Sequence, residues 1–461
     1  MLFLFAIHTK PDKLAALKGV IMKSFIAYIL VVFCSLFALS GCATSAYFYD
    51  KVAVEERPDE VNLYIDHLGD IYPTTGVPAN TVPRKDDSVG VRSHIERNLC
   101  KQPKVKSDVA RACEIKNDTG WKNFQTELWK RKANDIFNKA NSGSEDRSIV
   151  VLIHGFRNLP EEAKVNYDLA QSVIKNPASP QTNPIFVNIY WDGFYAPNTR
   201  KGLASVPSAW LKAQASGPLV GFNLRQLFNE IDNLYETNNK PEPSIKVITH
   251  SSGAFVIGAT IGDTSTALKI MWAEEPQGQY GVYKAHAKDT IGNYRVPDFK
   301  DFRIAMYAAA TPSNTFSGKF CPKAKTLESC NTLEADLSKA NLALPLGVLN
   351  PNIVLLIAYN PYDVGPTKNG IIPTKSSFGG AAGLGADNEL ICDLINTENI
   401  KVYPFDMIRG KDEPLETHNF DHYLLQKKSR PFLQALMNEG GLTESNYKDV
   451  LCRSEESPLG R

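Results

Sequence analysis

The fold is decided by the stretch Ser244–Gly258, whose sequence is Ser-Ile-Lys-Val-Ile-Thr-His-Ser-Ser-Gly-Ala-Phe-Val-Ile-Gly. Ile245, Val247 and Ile248 near its start are apolar and β-branched, as is typical of a buried strand. The small residues that follow allow a helix to begin close against that strand. The stretch therefore predicts a strand, a tight turn and a helix in direct succession.

The turn Thr249–Gly253 is one residue away from the pattern G-x-S-x-G. In that pattern a strained strand-to-helix turn lifts a serine hydroxyl above the edge of a sheet. Crowding in such a turn demands small residues two positions before and two positions after the serine. Ser251 has Thr249 and Gly253 there, whereas Ser252 would have a histidine and an alanine. We therefore predict Ser251 as a nucleophile, with Thr249 as a departure from the pattern.

Apolar runs on both sides of this turn predict the rest of a sheet. Strands are predicted at 148–153, 184–190, 302–309, 352–359 and 400–407, with a short additional strand at 61–65. Helices are predicted at 119–140, 160–174, 223–235, 252–261 and 422–437. Continuous apolar runs such as Ile149–Ile153 are expected of strands that are buried on both faces. Strands alternating with helices indicate an α/β fold with a mostly parallel, doubly wound sheet.

Several segments between these elements lack a clean period and are predicted as loops. They are 71–118, which Cys100 and Cys113 would hold together, the insertions 194–218, 264–301 and 313–350, and the glycine-rich segment 366–398. Because the insertions leave the carboxyl side of the sheet, we expect them to form a lid that governs substrate choice.

The N-terminus resembles a bacterial lipoprotein signal peptide. A short positive start at Met22–Ser24 precedes the apolar run Phe25–Leu39, which is too short for a comfortable membrane span. The run ends in Leu39-Ser40-Gly41-Cys42, which resembles a lipobox, so cleavage is expected before a lipid-bearing Cys42. Met22 is an alternative start to Met1. Ala43 resembles the signal for the outer membrane if the cell is Gram-negative.

Export implies an oxidising compartment, where an even number of cysteines suggests disulfides. Six cysteines remain outside the signal and the lipid site, and we favour the sequence-neighbour pairs 100–113, 321–330 and 392–452 among fifteen connectivities. No cysteine or histidine pair has zinc spacing, so no structural metal is predicted. The net charge of +1 argues against a nucleic-acid groove, which needs a basic excess.

The chain resembles the α/β-hydrolase superfamily, near its lipase-like and serine-esterase branches. The residues that carry the resemblance are His154-Gly155-Phe156 at a strand end, the turn around Ser251, Asp363 after a later strand, and a histidine before the last helix. The order serine, aspartate, histidine is the chain order of that fold. The resemblance covers residues 145 to about 437.

The resemblance implies a role for each of these residues. Ser251 would be the nucleophile, a histidine would take its proton, and Asp363 would hold that histidine. His422 is favoured as this base because Ser429-Arg430-Pro431 looks like the start of the last helix. His418 is the alternative, favoured if a helix instead begins near Asp421. The backbone amides of Phe156 and Ser252 would form the oxyanion hole.

These features predict a lipid-anchored serine hydrolase of the cell envelope that cleaves a carboxylic ester or an acyl-lipid without a cofactor. The predicted domains are a signal peptide at 1–41, a tether and extension at 42–144, a catalytic domain at 145–440 and a tail at 441–461. Two rivals stay open: a thioesterase or amidase on the same residues, and a non-catalytic envelope protein that keeps the scaffold to bind a partner.

Overall fold

A computed structural model describes residues 56–73, 90–101, 107–143, 147–156, 158, 160–175, 183–193, 206–261, 297–311, 352–363, 388–395, 401–407 and 418–437. The predicted signal segment, Cys42 and the tail lie outside these ranges. So do residues 194–205, 264–296 and 313–350 of the predicted lid, which therefore stays a prediction.

The described strands form one seven-stranded parallel sheet. They are β1 (Glu60–Ile65), β2 (Ile149–Ile153), β3 (Ile185–Trp191), β4 (Ile245–His250), β5 (Phe302–Tyr307), β6 (Ile353–Tyr359) and β7 (Lys401–Asp406). Their order across the sheet is β1-β3-β2-β4-β5-β6-β7. All residues of β2, β3, β4 and β6 are buried, as the continuous apolar runs predicted. Pro404 is tolerated in β7 because this strand lies at an edge of the sheet.

The strand order reverses direction around β2. The chain passes from β2 to β3 on one side and then returns to place β4 on the other side of β2. In open α/β sheets such a topological switch point leaves a crevice at the carboxyl ends of the two strands, where ligands bind. The strand order therefore indicates a site at the carboxyl ends of β2 and β4, where the chain continues into His154 and Ser251.

Helices cover the sheet. They are α1 (Gly90–His94, continued by a π-helical turn Ile95–Leu99), α2 (Ser107–Glu114), α3 (Asp118–Ala140), α4 (Pro160–Ile174), α5 (Val206–Thr237), α6 (Gly253–Ile261), α7 (Asn388–Ile395), α8 (Phe420–Leu424) and α9 (Ser429–Leu436). All nine residues of α6 are buried. This agrees with an apolar segment that follows a central strand.

Helix α5 packs closely on α6. A Cβ atom at Gly217 would lie 3.0 Å from the Cβ of Phe255, and one at Gly221 would collide with the carbonyl of Val256. At the far end of α6, the guanidinium of Arg225 donates to the carbonyls of Ala259 and Thr260 at 2.8–3.1 Å. These bonds satisfy carbonyls that the end of a helix leaves without an intrahelical donor.

The strands and most helices lie where the sequence predicted them, but several segments predicted as loops are helical. Residues 206–218 belong to α5, which contains Pro218, and residues 388–395 of the glycine-rich segment form α7. Helices α1 and α2 lie within the predicted loop 71–118. The predicted last helix is two helices, α8 and α9.

The short strand predicted at 61–65 is present and is the first strand of the sheet. Strand β1 lies in the segment assigned to the tether, and it pairs with β3 from Glu60 to Ile65. The sheet therefore includes a strand from the segment predicted as tether and extension.

The disulfide predicted between Cys100 and Cys113 is present, with a sulfur–sulfur distance of 2.02 Å. It joins the π-helical turn to α2. Each of the other two predicted pairs contains a cysteine outside the described residues, so both stay predictions.

Candidate active site

Ser251 lies at the sharp turn between β4 and α6. Its φ angle is 52°, in the left-handed region that non-glycine residues rarely occupy. Two hydrogen bonds to the end of β5 hold the turn: the Ser251 amide donates to the Tyr307 carbonyl at 2.9 Å, and the Ala310 amide donates to the Ser251 carbonyl at 3.2 Å. Strain of this kind persists only where the surroundings enforce it, and it clusters at functional sites.

Two glycines allow this turn to lie against the end of β2. A Cβ atom at Gly155 would lie 2.9 Å from the Cβ of Ser251, and one at Gly253 would lie 2.8 Å from the carbonyl oxygen of Ile153. Both distances are shorter than a side-chain carbon tolerates. The ends of β2 and β4 therefore meet closely, as the switch point of the sheet requires.

Ser251, His418 and Asp363 form a continuous hydrogen-bonded chain. The Oγ atom of Ser251 lies 2.9 Å from Nε2 of His418, and Nδ1 of His418 lies 2.7 Å from Oδ1 of Asp363. Ser251 is 2% exposed and Asp363 is fully buried. Each is supplied by the carboxyl edge of the sheet, Ser251 after β4 and Asp363 after β6.

The electrostatic environment of His418 suits a side chain that takes up a proton and becomes charged. Burial opposes the protonated ring, but the carboxylate of Asp363 and its hydrogen bond outweigh that penalty and raise the pKa of His418 above 6.5. The bond from Nδ1 to Asp363 requires the proton of the neutral ring to be on Nδ1. Nε2 then accepts the proton of Ser251.

A buried tyrosine holds the acid. The hydroxyl of Tyr423, on α8, donates to Oδ2 of Asp363 at 2.5 Å. Burial and the adjacent carboxylate raise the pKa of this phenol well above its ordinary value, so it stays a donor. Sequence analysis missed Tyr423, since only the position of α8 brings it to Asp363.

The structure does not place His422, the predicted base, beside Ser251 and Asp363; the alternative His418 occupies that position. Helix α8 begins at Phe420, after Asn419, so His418 lies just before a helix while His422 lies inside it. Among the hydrogen bonds of the described residues, none joins His422 to Ser251 or Asp363. The sequence favours His422 only if Ser429 starts the only helix after β7.

The two predicted oxyanion donors lie side by side, but one is already engaged. The Phe156 amide donates to Oγ of Ser252 at 2.6 Å. The hydroxyl of Ser252 thus joins the loop after β2 to the turn after β4. In this state the Phe156 amide points at a side chain of the turn, a contact that the sequence pattern did not indicate.

His154 is a structural residue behind this loop. Its Nε2 accepts from the Trp191 amide at 3.1 Å, and its Nδ1 lies 2.6 Å from the Gly155 carbonyl. Burial lowers its pKa to about 4, so the ring is neutral. It anchors the loop after β2 to the end of β3.

No family model, curated protein or solved structure matches this chain. The site therefore has to be interpreted from its own geometry. Among the described residues, no group of histidine, cysteine, aspartate and glutamate side chains is arranged to hold a metal ion. The described helices include none with the length and apolar character needed to cross a membrane.

Proposed function

We propose that this protein is a serine hydrolase of the α/β-hydrolase fold that cleaves carboxylic esters through an acyl-enzyme. The observation that carries the proposal is the hydrogen-bonded chain Ser251–His418–Asp363, with Ser251 in a strained turn at the switch point of the sheet. A serine hydroxyl is a weak nucleophile by itself, and an oriented histidine supplies the base that it lacks.

The geometry supports a two-step reaction. In the first step, His418 takes the proton of Ser251 while Oγ attacks the ester carbonyl, and the imidazolium then gives that proton to the departing alcohol. In the second step, water loses a proton to His418 and attacks the acyl-enzyme. The acid leaves and Ser251 regains its proton. Asp363 stays ionised and stabilises the imidazolium in both steps.

The oxyanion of each tetrahedral intermediate needs donors close to Ser251. The Ser252 amide is the nearest candidate because it begins the turn into α6. The Phe156 amide becomes a second donor if it exchanges the Ser252 hydroxyl for the oxyanion. Loss of one such donor typically raises the barrier by about 2.7–4 kcal/mol.

The labelling of Ser251 by a fluorophosphonate probe tests the nucleophile. The wild type is expected to be labelled and Ser251→Ala is not, whereas Ser172→Ala, at an exposed serine of α4, should be labelled normally. Labelling that persists in Ser251→Ala would make another residue the nucleophile. A wild type that is neither labelled nor active on esters would favour the non-catalytic scaffold.

The class of bond is tested with matched substrates. Turnover of a p-nitrophenyl ester series, a thioester and an anilide with the same acyl group should favour the esters, and the series should report the acyl length. A preference for the thioester would indicate a thioesterase, and a preference for the anilide would indicate an amidase.

We further propose that the protein is held in the cell envelope by a lipid on Cys42, where its substrate would be an ester or an acyl-lipid. The support is the sequence Leu39-Ser40-Gly41-Cys42 and a disulfide, Cys100–Cys113, that fits an oxidising compartment. Metabolic labelling with a palmitate analogue should be lost in Cys42→Ala and kept in Cys34→Ala. Equal labelling of both variants would exclude this anchor.

A further inference from the structure

His250 is the last residue of β4 and immediately precedes Ser251. Its Nε2 lies 2.8 Å from the backbone carbonyl of His418, to which it donates. Its ring also lies 5.0 Å from the ring of His418 and 5.2 Å from that of Phe420, measured between centroids. One side chain of β4 therefore contacts the residues on both sides of Asn419.

The His418 carbonyl fixes the form of the His250 ring. The proton is on Nε2, because a carbonyl oxygen can only accept, and Nδ1 is left buried without a hydrogen-bond partner. Burial and the neighbouring His418 lower the pKa of His250 to about 3; His154 acts in the same direction, while Asp363 and the carbonyl bond oppose it. The ring is therefore neutral near pH 7 and remains a donor.

The base needs such support because of where it lies. His418 precedes α8, a helix of only five residues, whereas Ser251 is fixed between a central strand and a buried helix. The bonds from His418 to Ser251 and Asp363 hold its ring. The hydrogen bond from His250 ties its backbone to the sheet.

We propose that His250 is a positioning residue that fixes the backbone of His418 so that Nε2 faces Ser251. This inference rests on the proposed hydrolase function. His250 would then do more than pack beside the turn. A packing role needs only an aromatic ring, whereas a positioning role needs the N–H group.

Two variants separate the contribution of the His250 ring from that of its N–H donor. His250→Phe keeps an aromatic ring but leaves the His418 carbonyl without its donor, and His250→Gln keeps a donor near the position of Nε2. A misplacement of about 1 Å can reduce a rate about 10²-fold, so His250→Phe should reduce kcat by about that factor. KM should change little, since the interaction matters in the reaction step. His250→Gln should recover part of the kcat.

A second measurement reports on His418 without turnover. The downfield proton resonance of His418 Nδ1–H should broaden or shift in His250→Phe and be restored in His250→Gln. If His250→Phe does not fold, His250→Met, which matches Gln in length and lacks the donor, takes its place.

Each outcome decides the inference. A folded His250→Phe or His250→Met with the kcat and proton signal of the wild type would overturn it, as would His250→Gln with the full loss of the donor-free variants. If the wild type itself neither hydrolyses esters nor reacts with the fluorophosphonate, the proposed function fails and the inference fails with it. If the wild type is active and the variants match it, only the inference fails.

Discussion

Ser251 and His418, the proposed nucleophile and base, are positioned in different ways. Ser251 lies between a central strand and a buried helix, and every residue from Ile245 to Ile261 is buried. His418 precedes a five-residue helix, and its place depends on single contacts with His250, Asp363 and Ser251. The comparison teaches that a local sequence pattern can specify the place of the proposed nucleophile, whereas the place of its proposed base depends on contacts between distant segments.

The largest effect should come from replacing each of the two candidate bases by alanine in turn. His418→Ala removes the proton acceptor of Ser251 and should reduce kcat at least about 10⁴-fold, as is typical of a triad histidine. His422→Ala is the matched control on the same short helix region and should stay near the wild type. Steady-state kinetics on a p-nitrophenyl ester measures both variants. A greater loss in His422→Ala would restore the original assignment.

The next largest effect is expected from a change that increases the crowding between Gly155 and Ser251. Gly155→Ala places a Cβ atom 2.9 Å from that of Ser251, so the turn or the loop must shift. We expect a loss of about 10²-fold in kcat/KM from misplaced groups. Gly143→Ala, beyond the end of α3, is the control for a general glycine effect. Unchanged kinetics in a folded Gly155→Ala would show that the two strand ends have more room than their distances indicate.

A smaller effect is expected from removing the hydrogen bond that Tyr423 donates to Asp363. Tyr423→Phe removes only the hydroxyl that donates to Oδ2 of Asp363. A hydrogen bond to a charged group is worth about 1.5–3 kcal/mol, so kcat/KM should fall about tenfold and the melting temperature should also fall. Tyr235→Phe, on α5, is the control. A fall in melting temperature with full activity would limit Tyr423 to a role in folding.

The smallest expected effect concerns the pH dependence of kcat/KM. Only neutral His418 accepts a proton, and Asp363 raises its pKa above 6.5. Activity should therefore be present above that raised pKa and be lost as the pH falls through it. The acid limb of kcat/KM against pH should have its midpoint above 6.5. A midpoint below that value would mean that burial outweighs the carboxylate.

The sheet and the strained turn at Ser251 were predictable because their signals are local. The apolar runs of the strands and the small residues around Ser251 reflect burial and crowding that any sequence with this turn must satisfy. Asp363 was found for a related reason, since it follows a strongly apolar strand at the carboxyl edge.

The parts that sequence analysis missed depend on tertiary contacts. Helix α8 is too short to show a helical period, so the choice between His418 and His422 depended on where a single helix was thought to begin. The first half of α5 lacks a clean helical period and contains Gly217 and Pro218, which are poor helix formers. In the fold this segment packs on α6, and the contact needs small residues more than it needs helix formers.

The two ends of α6 have opposite electrical roles. Aligned peptide dipoles give a helix a partial positive charge at its first turn and a partial negative charge at its last. The guanidinium of Arg225 neutralises the negative end of α6 through three hydrogen bonds. The positive end of α6 lies beside Ser251. The field of this buried helix is therefore directed towards any negative charge that develops on an atom bound to Ser251.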